Sequence, residues 1–170
     1  MMGRGLPTDR VHKPLTTLAP SGTLVSMEVL LVLDFSSLQK AVDALDRAHQ
    51  VATDPHVAAA LGPDALALLK AGVIQHFEFT YELCWKMMKR WLETNVTPGL
   101  TVGIPRRHLF RLAAQEGLID DIESWMRHHE ARNLSSHLYD DKLSEDVYLA
   151  SFPFAEDAKK LLARLEVHND

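Results

Sequence analysis

The run Arg132-Asn133-Leu134-Ser135-Ser136-His137-Leu138-Tyr139 places a permanent cation, an amide, two hydroxyls, an imidazole and a phenol in one short stretch, with the acidic pair Asp140-Asp141 directly behind it. Arginine grips phosphate through a planar fork. Histidine exchanges protons near neutral pH, and tyrosine serves as a nucleophile or as a site of modification. The combination points to phosphodiester or nucleotide chemistry. By residue type alone, the same Arg and His also suit the C-terminal end of a helix, whose dipole favours cations.

Helix geometry restricts how these groups can meet. Residues advance by about 100° each, so Arg132 and His137 differ by roughly 140° on a straight helix and do not share a face. Asn133 shares a face with His137, and Ser136 shares one with Arg132, which makes Asn133 and Ser136 supporting candidates. For Arg132 and His137 to act on one phosphate, the helix must end or bend between them, or a second copy of the chain must complete the site. Ser135-Ser136 has only middling helix propensity, which favours an end there. A two-fold dimer also brings two such segments across one groove.

Three further groups carry chemistry-bearing types. Glu78 and Glu82, four apart on one helix face, can orient Arg132 or His137, or Glu82 can simply pair with Lys86. Arg106, Arg107, His108 and Arg111 crowd cations into the start of a helix, against its dipole, an arrangement that an anion among them would relieve; Arg106, Arg107 and Arg111 are the candidate phosphate or nucleotide contacts. His128-His129 lies one turn before Arg132 and is expected on an exposed or groove-facing side. Trp85, Trp91, Trp125 and Met87-Met88 read as core or interface. The lone Cys84 reads as a buried small hydrophobe. No Cys/His cluster has zinc spacing, so neither a metal nor another cofactor is expected.

The elements that must position these residues read as helices throughout. From about Ser36, Leu38, Ala41, Val42, Leu45 and Ala48 recur at three- and four-residue steps, with Asp34 or Ser36 as cap. Asp54-Pro55 and Gly62-Pro63 break or bend the chain. The segment from Pro63 to about Asn95 is ambiguous in its middle, where Phe77, Phe79, Tyr81, Leu83 and Trp85 alternate like a strand. Its length, its lack of flanking turns and the pairs Glu82/Lys86 and Lys89/Glu93 favour a central helix touched by several neighbours. Pro105 opens a third helix that Gly117 closes. Asp120 or Asp121 caps a fourth, which runs toward the Arg/His cluster. Ser144 starts a fifth that ends near His168, with a kink or break expected at Pro153. The fold class is all-α: an antiparallel bundle of four main helices plus a shorter one.

The 170 residues suffice for one domain with a sizeable core, and 46% hydrophobic with 24% charged residues is ordinary for a globular chain. A net charge of −5 means that any RNA or nucleotide contact rests on a local basic patch. Residues 1–26, rich in Pro and Gly and without helical period, read as a loosely ordered leader ahead of a single domain, 27–170, for which Met27 is a suitable start. The apolar run at residues 24–33 is too short to span a bilayer and lacks a cleavage site. A single cysteine excludes an intrachain disulfide. A cytoplasmic protein without membrane association is expected.

Three blocks together resemble the HEPN superfamily, and more narrowly the nucleotidyltransferase substrate-binding protein family, over roughly residues 29–170. They are Gly72-Val73-Ile74-Gln75-His76-Phe77-Glu78-Phe79-Thr80-Tyr81-Glu82-Leu83-Cys84-Trp85-Lys86; Pro105-Arg106 through Phe110-Arg111 with Gly117-Leu118-Ile119-Asp120-Asp121 and Trp125; and Arg132 through Asp140, which fits the R-x4-H-x-Y form of the superfamily motif. The resemblance implies a helical bundle, usually a homodimer, that works with a minimal nucleotidyltransferase. In toxin–antitoxin members the helical protein is a metal-independent ribonuclease whose motif Arg and His, here Arg132 and His137, form a composite site across the dimer. The partner silences it by attaching AMP to the motif tyrosine, here Tyr139. Other members are regarded as the non-enzymatic nucleotide- or substrate-binding half of a two-component nucleotidyltransferase. A helical dimer with a scaffold role is the third reading. The chain departs from the family in carrying Arg107 and His108 where an acidic residue is frequent.

Overall fold

The computed structural model describes residues 33–137 and 141–168, apart from the side chains of His137 and Asp141. The leader assigned to residues 1–26, together with Tyr139 and Asp140, lies outside the described residues. Among the described residues six α-helices follow one another: α1 (Ser36–Thr53), α2 (Pro55–Ala60), α3 (Pro63–Asn95), α4 (Arg106–Gln115), α5 (Ile122–Leu134) and α6 (Asp141–Val167). Among the described residues there is no strand.

Local chemistry sets the helix ends. Asp34 accepts a hydrogen bond from the Ser36 amide at 2.8 Å, and Asp121 accepts one from the Glu123 amide at 2.9 Å, each satisfying a donor that the first turn leaves unpaired. Gly117 stops α4 with φ at 74°, a left-handed conformation that glycine adopts without a Cβ penalty. The Leu118 amide then bonds back to the Ala113 carbonyl at 2.8 Å and the Gly117 amide to that of Ala114 at 3.1 Å, closing a Schellman turn.

Paired side chains give the helix directions. Asp46 of α1 meets Lys159 of α6, and His49 meets Ser151, so α1 and α6 are antiparallel. His128 of α5 meets Asp157 of α6 while Asp120, just before α5, meets Arg164, again antiparallel. Lys70 of α3 meets Glu145, and Trp91 meets His168, so α3 and α6 run the same way. The four long helices thus alternate in direction along the chain, and α3 and α6 form a parallel central pair flanked by α1 and α5. Phe77, Tyr81, Trp125 and Phe154 fill their junction, with Phe77 and Phe154 edge to face at 5.0 Å.

The strand-like alternation in α3 resolves by helical period. Phe77, Tyr81, Cys84 and Met88 recur at three- and four-residue steps and are buried, whereas Phe79 is 60% exposed. Burial raises the Cys84 thiol well above its ordinary range, as suits a packing residue.

Three boundaries differ from the sequence reading. Asp54-Pro55 does more than break the chain: Asp54 caps the His56 amide at 2.8 Å and Pro55 fills the first position of α2. The last helix begins at Asp141, a turn before Ser144, with its early Glu145 tied to Lys70. That helix also runs unbroken through Pro153. Pro153 and the residue four before it, Leu149, are both exposed, so water can replace the amide that proline lacks. On the opposite side Ser151, Phe154, Ala155 and Ala158 are buried and hold the helix to the core.

Candidate functional site

Two antiparallel helices present matching side chains. On α3, Glu78 and Glu82 are four residues apart; on α5 and its continuation, Arg132 and Ser135 are three apart. Rises of about 6 Å and 4.5 Å bring the two pairs into register. Glu82 Oε1 accepts from Arg132 Nε at 3.1 Å, and Glu78 Oε1 accepts from the Ser135 hydroxyl. Glu82 is shared: its other oxygen accepts from Trp85 Nε1 at 3.0 Å and lies 3.7 Å from Lys86 Nζ. Glu82 therefore makes both contacts expected of it, to Arg132 and to Lys86, whereas Glu78 contacts Ser135 rather than Arg132.

Glu82 holds Arg132 through Nε. Among the described residues its terminal nitrogens have no hydrogen-bond partner, and the side chain is one-third exposed. A guanidinium pinned at one edge and open at the other is pre-organised for an oxyanion. Immediately beyond, α5 ends at Leu134 and a 3-10 turn carries Ser135–His137. The α-helix therefore ends between Arg132 and His137, one of the two arrangements the sequence left open. Ser136 donates to the Asn133 carbonyl at 2.7 Å and so serves this turn.

The basic start of α4 splits. Arg107 makes a two-pronged ion pair with Glu123 at 2.6 and 2.9 Å, so the chain itself supplies the anion that this cation wants at a helix N-terminus. Arg111 and His108 are exposed. Arg106 turns toward the site: its guanidinium lies 3.6 Å above the centroid of the Trp85 ring, and among the described residues it has no carboxylate partner. Trp85 is half-buried rather than core, and joins Arg106 on its face to Glu82 at its edge.

The histidine pair also divides. His128 is buried, contrary to the exposed or groove-facing placement expected for the pair. It packs on Trp125 and Phe154 and bonds Asp157 at 2.9 Å. Its neighbour His129 is half-buried and faces Arg132. Its Nδ1 lies 2.9 Å from the hydroxyl of the buried Tyr81, the two rings stack at 5.9 Å, and its Nε2 is 3.4 Å from Asn133 Nδ2. Burial raises the Tyr81 phenol well above its usual range and keeps it protonated. The sequence reading singled out His128-His129 and the run containing Ser135 but gave Tyr81, His129 and Ser135 no part in the site. The i, i+3 step from His129 to Arg132 was the available signal for His129. Ser135 becomes legible only once α5 is paired against α3.

Among the described residues no trio of His, Cys, Asp or Glu is disposed to hold a metal ion, and no helix is long and apolar enough to cross a membrane.

Residues 33–167 match the family described as nucleotidyltransferase substrate binding protein like. The chain belongs to this family. It is 37% identical over 102 residues to a Haemophilus influenzae protein named probable ribonuclease HepT, covering 59% of this chain and 70% of the relative. Its fold is similar to that of a solved H. influenzae protein described as a substrate binding domain of a nucleotidyltransferase, with a TM-score of 0.75 and 30% identity over 78% of this chain and 99% of the other. A crystal structure of a Thermus thermophilus protein matches with a TM-score of 0.57 and 26% identity, over 74% and 98% of the two chains. In this family setting, the Arg132–Glu82 contact and the helix end before His137 lie within the matched residues.

Proposed function

We propose that this protein is a metal-independent endoribonuclease that acts as the toxin of a two-gene system and is silenced by a minimal nucleotidyltransferase. The observation that carries this reading is the state of Arg132: oriented by Glu82 through Nε, open at its terminal nitrogens among the described residues, and placed just before a helix end that leads into His137. A phosphate oxygen is the partner such a fork fits. The name of the 37%-identical relative points the same way. In the reaction, His137 takes the proton of a ribose 2′-hydroxyl, O2′ attacks phosphorus, and Arg132 stabilises the charge on the pentacoordinate phosphate. The product is a 2′,3′-cyclic phosphate. The site is completed across a homodimer in the cytoplasm, where Tyr139 accepts AMP from the partner.

The test is expression with and without the neighbouring nucleotidyltransferase, scoring growth arrest and RNA integrity, alongside light scattering of the purified protein. Arrest and RNA cleavage relieved by the partner, from a dimeric protein, are expected. A monomer across micromolar concentrations opposes the composite site. If the protein alone neither arrests growth nor cleaves RNA, the second reading takes over: a nucleotide- or substrate-binding subunit of a two-component nucleotidyltransferase, supported by the description of the structural relative. Arg132 and Arg106 then hold the nucleotide's phosphates.

A further inference from the structure

Cleavage of a phosphodiester needs two proton transfers, one from the attacking 2′-hydroxyl and one to the departing 5′-oxygen. His137 and Arg132 account for the first and for charge stabilisation. Within one protomer the second has no assigned donor, because a guanidinium does not give up its proton at neutral pH. His129 stands one helical turn from Arg132. We infer that His129 is the general acid of the site, delivering a proton from Nε2 to the leaving 5′-oxygen of a phosphodiester gripped between Arg106 and Arg132. This rests on the ribonuclease reading above.

The geometry supports the assignment in three ways. Nδ1 of His129 is occupied by the Tyr81 hydroxyl at 2.9 Å, and the phenol is buried and stacked on the imidazole, so the ring is fixed in orientation. A protonated imidazole needs an acceptor at Nδ1, and the phenol oxygen provides one without adding charge. Among the described residues Nε2 meets only the Asn133 amide nitrogen, a donor, at 3.4 Å; this long contact must give way when Nε2 takes up its proton and turns to a substrate oxygen. Finally, His129 lacks the hydrogen-bonded carboxylate that its neighbour has: among the described residues, His128 bonds Asp157 whereas the hydrogen-bond partners of His129 are neutral.

The charged and titratable groups around His129 come from three helices: Tyr81 and Glu82 from α3, Arg106 from α4, Glu130 and Arg132 from α5. Burial first, and then the fields of Arg106 and Arg132, hold the imidazole below its ordinary pKa. A phosphodiester anion between the two arginines cancels their field, so substrate binding loads the proton that catalysis then uses. In the step itself the O2′–P bond forms and the P–O5′ bond breaks, with its electron pair moving to O5′. O5′ takes the Nε2 proton while His137 holds the proton from the 2′-hydroxyl. His129 is left neutral with Nδ1–H on Tyr81, and exchange with water resets both histidines.

The experiment compares two substrates: a ribodinucleotide, whose 5′-alkoxide must be protonated to leave, and a uridine 3′-(4-nitrophenyl phosphate), whose phenolate leaves unaided. His129→Gln and His129→Ala are expected to lower kcat on the dinucleotide about 100-fold, with KM little changed, and to remain within a few-fold of the parent on the nitrophenyl ester. The alkaline limb of the dinucleotide pH profile should disappear. Tyr81→Phe should produce a smaller loss, again on the dinucleotide only. Equal losses on both substrates, or no loss, overturn the assignment while leaving the ribonuclease reading intact. A parent inactive on both substrates overturns both. A readout independent of variant folding is the NMR titration of His129 in the parent: its midpoint should rise on adding a non-cleavable 2′-deoxy dinucleotide, and an unmoved midpoint overturns the assignment.

Discussion

Glu82 and Arg132 are 50 residues apart in the chain, yet the carboxylate receives the guanidinium Nε at 3.1 Å. The contact joins the central helix to the end of α5 at the point where the motif begins. Both side chains are about one-third exposed. An ion pair so exposed contributes roughly 0–1 kcal/mol to stability, so its main consequence is the orientation of the fork.

The first prediction follows. Glu82→Gln should leave the melting temperature nearly unchanged while lowering kcat/KM for RNA cleavage by about tenfold or more, as expected when a charge-assisted contact that positions a catalytic cation is weakened. Parallel melting curves and cleavage assays on the purified variant check this. A variant that melts much lower would show that the contact chiefly supports the fold.

The motif residues themselves should behave differently from their supports. His137→Ala should abolish cleavage and growth arrest with the helical circular dichroism preserved. Arg132→Lys should impair both strongly, since a point charge does not reproduce a planar fork. Cleavage by the parent should survive EDTA and leave 2′,3′-cyclic or 3′-phosphate ends. Undiminished cleavage by His137→Ala is the outcome that removes this mechanism.

Helix positions were legible in the sequence because their punctuation is chemical: Asp34, Asp121, Pro63 and Gly117 act where their types predict. The alternation from Phe77 to Trp85 is strand-like only locally, and the helix expected there is the one found, because a strand cannot account for the continuous apolar period on to Met88 and Leu92. At Pro153 the helix does not break: the carbonyl that loses its amide partner lies on an exposed face, where water can serve it. In the site, Glu82 and Arg132 were named from their spacing, but their contact required knowing that α3 and α5 run antiparallel. Arg106 and Arg107 are adjacent in sequence and point about 100° apart on a helix; one reaches Trp85 and the other Glu123, a separation that no residue-type argument could supply. His128 and His129 divide for the same reason.

The second pH-dependent property is stability. His49, His128 and His129 all have their pKa held below the ordinary 6.5, in each case chiefly by burial. Asp157 opposes the shift at His128 without reversing it. The sign is that of a base kept neutral: below about pH 6.5 the unfolded chain binds protons that the folded chain resists, so stability is fully present above that pH and is lost as pH falls. The melting temperature should drop between about pH 7.5 and pH 5.5, by roughly 2–4 °C for each kcal/mol lost. His49→Gln, which can still donate to Ser151, should flatten the slope. A melting temperature that rises on acidification would contradict the burial of these rings.

The last prediction concerns silencing. Tyr139 follows His137 by two residues in the sequence, and a group attached to its phenol is proposed to block the motif. In the proposed modification the phenol oxygen attacks the α-phosphorus of ATP held by the partner enzyme. A P–O bond to the tyrosine forms, the bond to pyrophosphate breaks, and pyrophosphate leaves while the phenol proton passes to solvent. The result exchanges a neutral hydroxyl for a phosphodiester that can occupy the open nitrogens of Arg132 and exclude substrate. After co-expression with the nucleotidyltransferase, mass spectrometry should find AMP on the peptide containing Tyr139, and the modified protein should not cleave RNA. Tyr139→Phe should remain unmodified and continue to arrest growth in the presence of the partner, while cleaving as well as the parent in its absence. If Tyr139→Phe is silenced by the partner as fully as the parent, inhibition does not run through this residue, and direct binding of the partner over Arg132 becomes the explanation. Adding unlabelled AMP at high concentration distinguishes occupancy of the fork from a conformational effect: competitive inhibition of the parent that is weakened in Arg132→Lys places the nucleotide phosphate on Arg132.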